Sequence, residues 1–323
     1  MISVVIPLFN EERIVPELVR RVDGVLREAG EPYEIVLVND GSRDATGPAA
    51  RALFAQYPAL VLVELSRNFG HQIAATAGLD RTRGDAVVLM DGDLQDPPEL
   101  IPEMLAKWRE GYDVVYAVRR TRRGESPFKL WTASMFYRVT SRLTNVSIPV
   151  DVGDFRLMSR RVVDALQGMR ERHRFIRGLV SWVGYRQTGI PYDRDVRFAG
   201  NTKYPLRKML KFALDGITAF SEVPLRVATY LGFAIAGFAF VYGIVVLVLN
   251  VLGYNLPGYT STMLAILLLG GVQLVTIGIL GEYVGRIYDE IKDRPLYLVA
   301  SEDSAAGVTA GAGAAVPPEA HNG

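Results

Sequence analysis

The chain has 323 residues, of which 49% are hydrophobic, and its formal net charge is +1. That length accommodates one α/β domain of about 200 residues plus a second element, and the near-neutral charge argues against wholesale nucleic-acid binding. There is no cysteine, so disulfides and thiolate chemistry are excluded and a cytosolic catalytic part fits.

The chain starts directly on a strand-like run, Ser3 to Leu8, and no cleavable signal peptide is expected. Asn10-Glu11-Glu12 opens an amphipathic helix that ends near Gly30, a C-cap. Tyr33 to Asn39 reads as a second strand, closed by the turn triplet Asp40-Gly41-Ser42. Val61 to Leu65 gives a third strand, residues 66–70 a loop, and His71 to Arg81 a helix. Ala86 to Met90 is a continuous apolar run, which suits a central strand covered on both faces. Asp96-Pro97-Pro98-Glu99 reads as an N-cap, a proline at the first helical position and a glutamate that completes a capping box. A further strand is expected at Asp113 to Val118, so strands alternate with helices as in a mostly parallel, doubly wound sheet.

The loop after the Ala86 run carries the first chemistry. Asp91, Asp93 and Gln95 are spaced by two, so an extended backbone points them the same way. Two carboxylates and an amide oxygen form a hard, incomplete ligand set that suits Mg²⁺ or Mn²⁺; an acidic turn is the plain alternative. Position favours the metal, because α/β sheets place ligands beyond the carboxyl ends of their strands. No Gly-x-Gly-x-x-Gly follows the first strand and no Walker-type lysine loop occurs, which disfavours dinucleotide-binding dehydrogenases and P-loop enzymes.

From Arg119 to Lys129 the composition turns basic, with Arg119, Arg120, Arg122 and Arg123 beside loop-forming Gly124 and Pro127. Such a segment is either a solvated loop or, beside a metal site, a grip for phosphate. Asp154 follows at the mouth of a short strand, and His173, among arginines, reads as a surface residue. Lys203 to Phe220 repeats apolar residues at helical spacing with Lys203, Arg207, Lys208 and Lys211 near its start, as in a helix lying in a membrane surface.

Val227 to Leu252 then contains no charged residue and, as a helix, spans roughly 39 Å against a hydrocarbon core of about 30 Å. Met263 to Tyr283 is a second such run with only Glu282 near its end; two buried core helices are the alternative. No lysine or arginine lies between Arg226 and Arg286, so the positive-inside rule puts both termini in the cytosol and the loop from Asn250 to Thr262 outside. Residues 301–323, rich in Ala, Gly and Pro, read as a disordered tail.

Val-Val-Ile-Pro-Leu-Phe-Asn-Glu-Glu at 4–12, Val-Asn-Asp-Gly-Ser at 38–42, Ser-Arg-Asn-Phe-Gly at 66–70 and Asp-Gly-Asp-Leu-Gln-Asp-Pro-Pro-Glu at 91–99 resemble the family 2 glycosyltransferases with a GT-A fold. Within that family the chain is similar to the polyisoprenyl-phosphate glycosyltransferases, the group of dolichol-phosphate mannose synthases and bactoprenol glucosyltransferases. Lys-Tyr-Pro-Leu-Arg-Lys at 203–208 and Gly-Glu-Tyr-Val-Gly-Arg-Ile-Tyr-Asp-Glu at 281–290 resemble the bacterial branch. The implied organisation is a GT-A domain over 1–200, an interfacial helix over 201–225, a two-helix transmembrane domain over 226–288, a cytosolic segment over 289–300 and the tail.

The resemblance implies roles residue by residue. Pro7, Phe9, Asn10, Glu11, Asp40 and Asp91 would surround the base and ribose of a nucleotide sugar, and His71 lies either near that nucleotide or simply at a helix terminus. Asp91, Asp93 and Gln95 would hold Mg²⁺ or Mn²⁺ on the diphosphate. Asp154 would be the catalytic base or a carboxylate that positions the acceptor, and Arg119, Arg122 and Lys203 would grip the lipid phosphate. The expected reaction is inverting, metal-dependent transfer of one sugar, first of all glucose from UDP-glucose, to polyprenyl phosphate at the cytosolic face of the inner membrane. Amino-arabinose, N-acetylhexosamine and mannose donors stand behind glucose. The Gln-x-x-Arg-Trp signature of processive members is missing, which favours single-sugar transfer. Relatives imply a homotetramer, and the near-neutral charge leaves no nucleic-acid partner expected. The rival class is a non-catalytic membrane scaffold that binds nucleotide sugars through a degenerate domain.

Overall fold

The computed structural model describes residues 1–119, 152–193, 223–252 and 258–304. These fall into two compact units, one of residues 1–119, 152–193 and 294–304 and the other of 223–252 and 258–293.

The first unit is built on one sheet. In chain order its elements are β1 (Ile2–Leu8), α1 (Val15–Ala29), β2 (Tyr33–Asn39), α2 (Thr46–Ala52), β3 (Leu60–Leu65), α3 (His71–Arg81), β4 (Ala86–Leu89), a short 3₁₀ turn (Pro98–Leu100), α4 (Ile101–Arg109), β5 (Val114–Arg119), β6 (Val152–Ser159), α5 (Arg160–Gly168), α6 (Ile176–Trp182), β7 (Gln187–Tyr192) and β8 (Val299–Ser304). The strand order is β7-β5-β6-β4-β1-β2-β3-β8. β1 is buried along its whole length, as its unbroken apolar sequence requires of a strand covered on both faces. Around it Ile2, Val4, Ile6, Leu18, Val22, Leu37 and Val88 form one core, and each fully buried aliphatic side chain there stabilises the fold by roughly 1.5–3 kcal/mol.

The sheet departs from the expected mostly parallel arrangement in two places. β1 to β4 are parallel where they pair, as are β5 and β7. β6, however, runs antiparallel between β4 and β5, and β8 runs antiparallel to β3 at the far edge. β6 is eight residues long and buried throughout, a central strand rather than the short one expected. Apolar run length reports burial and says nothing of strand direction.

β8 also shifts the expected tail: residues 301–304, read as disordered, complete a strand. Composition hid it, because Val-Ala-Ser-Glu-Asp-Ser lacks a β-rich pattern; side chains that pair with the sheet hold it instead. Arg51 bridges Glu64 and Asp303, Arg81 pairs with Glu302 at 3.3 Å, and Tyr297 Oη donates to Asp80 Oδ2 at 2.7 Å. Residues 305–323 lie outside the described residues.

The capping box at Asp96 does not form. Pro97 is extended, at φ −72° and ψ 121°, and the helical path begins only at Pro98. The physical reason is the second proline, whose ring disfavours the helical conformation in the residue before it. Asp96 therefore turns inward, fully buried, and Glu99 pairs instead with Arg21 of α1, at 3.0 and 2.7 Å. The first helix likewise begins at Val15, later than Asn10-Glu11-Glu12 indicated, because those residues are tied to the loop after β2. Asn10 Oδ1 accepts from Arg43 N, Glu11 N donates to Thr46 Oγ1 and Glu12 Oε2 accepts from Ala45 N.

The second unit contains α7 (Val223–Val251) and α8 (Tyr259–Ile291). Leu225–Leu249 and Leu268–Ile291 are long and apolar enough to cross a membrane, and neither stretch is buried in the protein. Phe233, Phe238, Phe240 and Leu274 are all more than 70% exposed. Among the described residues neither helix is a buried core helix. The amphipathic stretch expected from Lys203 lies outside the described residues, as do Arg122 and Lys203.

Candidate active site

The antiparallel register of β4 and β6 creates the site. Leu89 pairs with Arg156, so two residues on from Leu89 and two back from Arg156, past the end of β4 and at the start of β6, Asp91 and Asp154 come to lie opposite one another. Beside them stands the start of α3. Asp40, at the end of β2, holds that start in place: Oδ1 accepts from Phe69 N at 2.7 Å, and Oδ2 from Gly70 N at 2.9 Å and Asn68 Nδ2 at 3.0 Å. Gly41 permits this approach, because at φ +60° a Cβ there would sit 2.4 Å from the Arg67 carbonyl carbon.

His71 and Gln72, the first residues of α3, reach the carboxylates. His71 Nε2 lies 3.2 Å from Asp154 Oδ2 and 3.3 Å from Asp91 Oδ1. Gln72 Nε2 donates to Asp154 Oδ2 at 3.2 Å, while its Oε1 accepts from Ile176 N at 2.9 Å, which fixes the amide's orientation. Arg177, one residue into α6, donates from Nε to Asp154 Oδ1 at 2.7 Å. Behind them the buried Arg156 folds back on its own strand and donates to the carbonyls of Gly153 and Asp154.

Electrostatics separates the two carboxylates. Burial pushes Asp154 up, but Arg177, His71 and Arg156 outweigh it and hold the carboxyl well below the usual range. Asp91 goes the other way, pushed up to about 6, by burial first and then by Asp154, Asp96 and Asp93, against His71. His71 is itself raised: burial lowers it, and Asp154 and Asp91 more than compensate. Asp91 Oδ1 is buried and accepts no hydrogen bond among the described residues.

The ligand atoms of His71, Asp91 and Asp154 all lie within 4.8 Å of one another, a spacing that could hold a metal ion. A buried carboxylate oxygen without a donor, amid carboxylates that repel one another, fits a divalent cation. The other expected ligands lie on the same loop by a different geometry than the extended alternation. The strand ends at Leu89, and Leu94 is left-handed, at φ 57°, so Asp93 and Gln95 sit in a turn. Asp93 Oδ1 accepts from Gln95 N at 3.1 Å, and both side chains are part-exposed. Gly92 fits under β1, where a Cβ would come 2.7 Å from Leu8.

Of the other expected residues, Pro7 is buried in β1, Phe9 and Asn10 are exposed just past it, and Glu11 is partly exposed. Asp40 is all but buried and already accepts the hydrogen bonds above. Arg119 ends β5, and its Nε donates to Tyr192 Oη at 3.3 Å. Sequence reasoning missed Gln72, Arg177 and Tyr192. None sits in a recognisable motif, and only the fold brings α6 and β7 to this end of the sheet.

The sequence pattern of glycosyl transferase family 2 matches residues 3–167, and that of the GtrB C-terminal hairpin matches residues 223–287. An uncharacterized glycosyltransferase of Bacillus subtilis, YkcC, is 51% identical over 92% of this chain and 92% of its own length. The bactoprenol glucosyl transferase of Shigella phage SfX is 46% identical over 93% of this chain and 99% of its own. A prophage bactoprenol glucosyl transferase homolog of Escherichia coli is 44% identical over 92% of this chain and 98% of its own. Strands, site and likeness converge: the chain belongs to glycosyl transferase family 2 and is a glycosyltransferase.

Proposed function

We propose that the protein transfers one sugar, glucose from UDP-glucose, to a polyprenyl phosphate at the cytosolic face of the membrane, with inversion at the anomeric carbon. The observation that carries this reading is the meeting of Asp91 and Asp154 at one end of the sheet in a chain that also holds two membrane-length helices. The relatives named as bactoprenol glucosyl transferases support the acceptor and the sugar.

Asp91, Asp93 and Gln95 would hold Mg²⁺ or Mn²⁺, with Asp91 as the member whose buried Oδ1 accepts no hydrogen bond among the described residues. Such an ion supplies Lewis-acid stabilisation of the departing diphosphate. Pro7, Phe9, Asn10, Glu11 and Asp40, at the ends of β1 and β2, would surround the base and ribose of the nucleotide.

Asp154 serves the acceptor side as a fixed anion. A carboxyl held so far below its usual range is a weak base, and the acceptor does not need a strong one: a phosphate monoester with a second pKa of about 6 is already largely ionised near neutral pH. A phosphate oxygen attacks the anomeric carbon, the bond from that carbon to the diphosphate oxygen breaks, and UDP leaves. Arg119, Arg122 and Lys203 would grip the lipid phosphate. The membrane helices put the enzyme where an acceptor that cannot leave the bilayer meets a cytosolic donor, with both chain termini on that side.

The test gives membranes carrying the protein a panel of labelled UDP- and GDP-sugars with and without added polyprenyl phosphate. Label entering the organic phase from UDP-glucose, and only with the lipid, is the expected result. Transfer to a water-soluble acceptor, or no transfer from any donor, overturns it.

A further inference from the structure

Tyr192 links the two sides of the site. Its hydroxyl donates to Asp96 Oδ1 and accepts from Arg119 Nε. Asp96 is fully buried on the loop that carries Asp93 and Gln95. Arg119 and Tyr192 are register partners at the ends of β5 and β7, so the backbone already sets them side by side. The phenol ring stands edge-on to Phe155, with centroids 6.4 Å apart and planes at 86°, which leaves it little freedom. Burial and the neighbouring Asp96 both raise the phenol's pKa, so it stays protonated and keeps its donor and acceptor roles apart.

Arg119 is confined from its other side as well. A Cβ at position 153 would come 2.9 Å from Arg119 Nη2, so Gly153, next to Asp154, leaves the space that the guanidinium occupies. With Nε directed at Tyr192, the fixed feature is the direction of the Nη fork, the part of the group that grips a phosphate. A long cationic side chain ordered before its ligand arrives loses less freedom on binding.

We propose that Tyr192 is a positioning residue for the acceptor: it holds Arg119 for the acceptor's phosphate and, through Asp96, ties that grip to the loop of Asp93 and Gln95. The proposal rests on the reading that Arg119 binds polyprenyl phosphate.

Full-length wild-type enzyme, Tyr192→Phe, Arg119→Ala and the double variant are assayed with UDP-glucose and polyprenyl phosphate, and KM is measured for each substrate. Tyr192→Phe keeps the ring and removes only the hydroxyl. It should raise KM for polyprenyl phosphate roughly tenfold, the size of one hydrogen bond to a charged group, with a clearly smaller change in the donor KM. The double variant should be no worse than Arg119→Ala, because Tyr192 acts through that arginine. An unchanged acceptor KM, an equal rise in both KM values, or additive losses in the double variant would overturn the proposal. If Tyr192→Phe does not fold, Gly153→Ala displaces Arg119 from the opposite side and must raise the acceptor KM selectively; absence of that rise overturns it too. Wild-type enzyme that transfers no sugar to the lipid refutes the functional reading itself and the positioning role with it, a result distinct from a failure confined to the variants.

Discussion

The end of β4 and the start of β6 present facing carboxylates in opposite conditions. Asp154 is wrapped: Arg177 on one oxygen, Gln72 and His71 on the other, and Arg156 behind. Asp91 is left wanting, with a buried oxygen that accepts no hydrogen bond and carboxylates for neighbours. Burial costs both of them; at Asp154 two arginines and His71 answer that cost, whereas among the described residues Asp91 has only the shared His71, 3.3 Å from Oδ1. On the proposed reading this difference divides the work: the loop after β4 would receive a cation from outside, and β6 would keep a negative charge where it is.

Removing the cation side should have the largest effect. Asp93→Ala, or EDTA treatment of the wild-type enzyme, should lower transfer by about 10³-fold or more, as expected for several kcal/mol of lost leaving-group stabilisation. Sustained turnover after complete metal removal would break the comparison from that side. Asp154→Asn should cost less, about 10²-fold, through misplacement of the acceptor. Its pH–rate profile should keep the wild-type shape, since Asp154 is already ionised at all working pH values. A wild-type acidic limb that disappears in Asp154→Asn would restore Asp154 to the role of base.

The third test reads stability. Arg177→Gln leaves the Asp154 charge buried beside a neutral partner and should destabilise the fold by about 3 kcal/mol in denaturant titrations. Asp154→Asn should cost less than this, because Arg177 is 24% exposed and can reach water, while the buried Arg156 keeps its bonds to the Gly153 and Asp154 carbonyls. The reverse ranking would mean that Asp154 is not the group whose charge needs support. Far from the site, Tyr297→Phe removes one hydrogen bond to Asp80 and should cost about 1 kcal/mol of stability with transfer unchanged.

Much of this architecture is legible in the amino-acid sequence. Tyr33–Asn39 and His71–Arg81 can be bounded to the residue because turn chemistry closes the first and a glycine loop precedes the second. The Asp91 loop stands out because an apolar strand delivers it. The direction of β6 does not, since alternation and run length carry no sense of parallel or antiparallel, yet that direction is what sets Asp154 against Asp91. Asp96 misleads for a different reason: a local capping rule competes with the rule for residues before proline, and the latter wins at Pro97. Arg177 and Tyr192 are invisible locally, because their partners lie 23 and 96 residues away in the chain. β8 is held by ion pairs with residues more than 200 positions upstream, a device that tail composition cannot reveal.

The contrast between the two carboxylates is tested most directly by measuring UDP binding calorimetrically with and without Mn²⁺ for the wild type, Asp91→Asn and Asp154→Asn. Metal-enhanced UDP binding should vanish in Asp91→Asn and persist in Asp154→Asn. Metal-enhanced binding that survives in Asp91→Asn, or that disappears equally in both variants, would contradict the division of labour between β4 and β6.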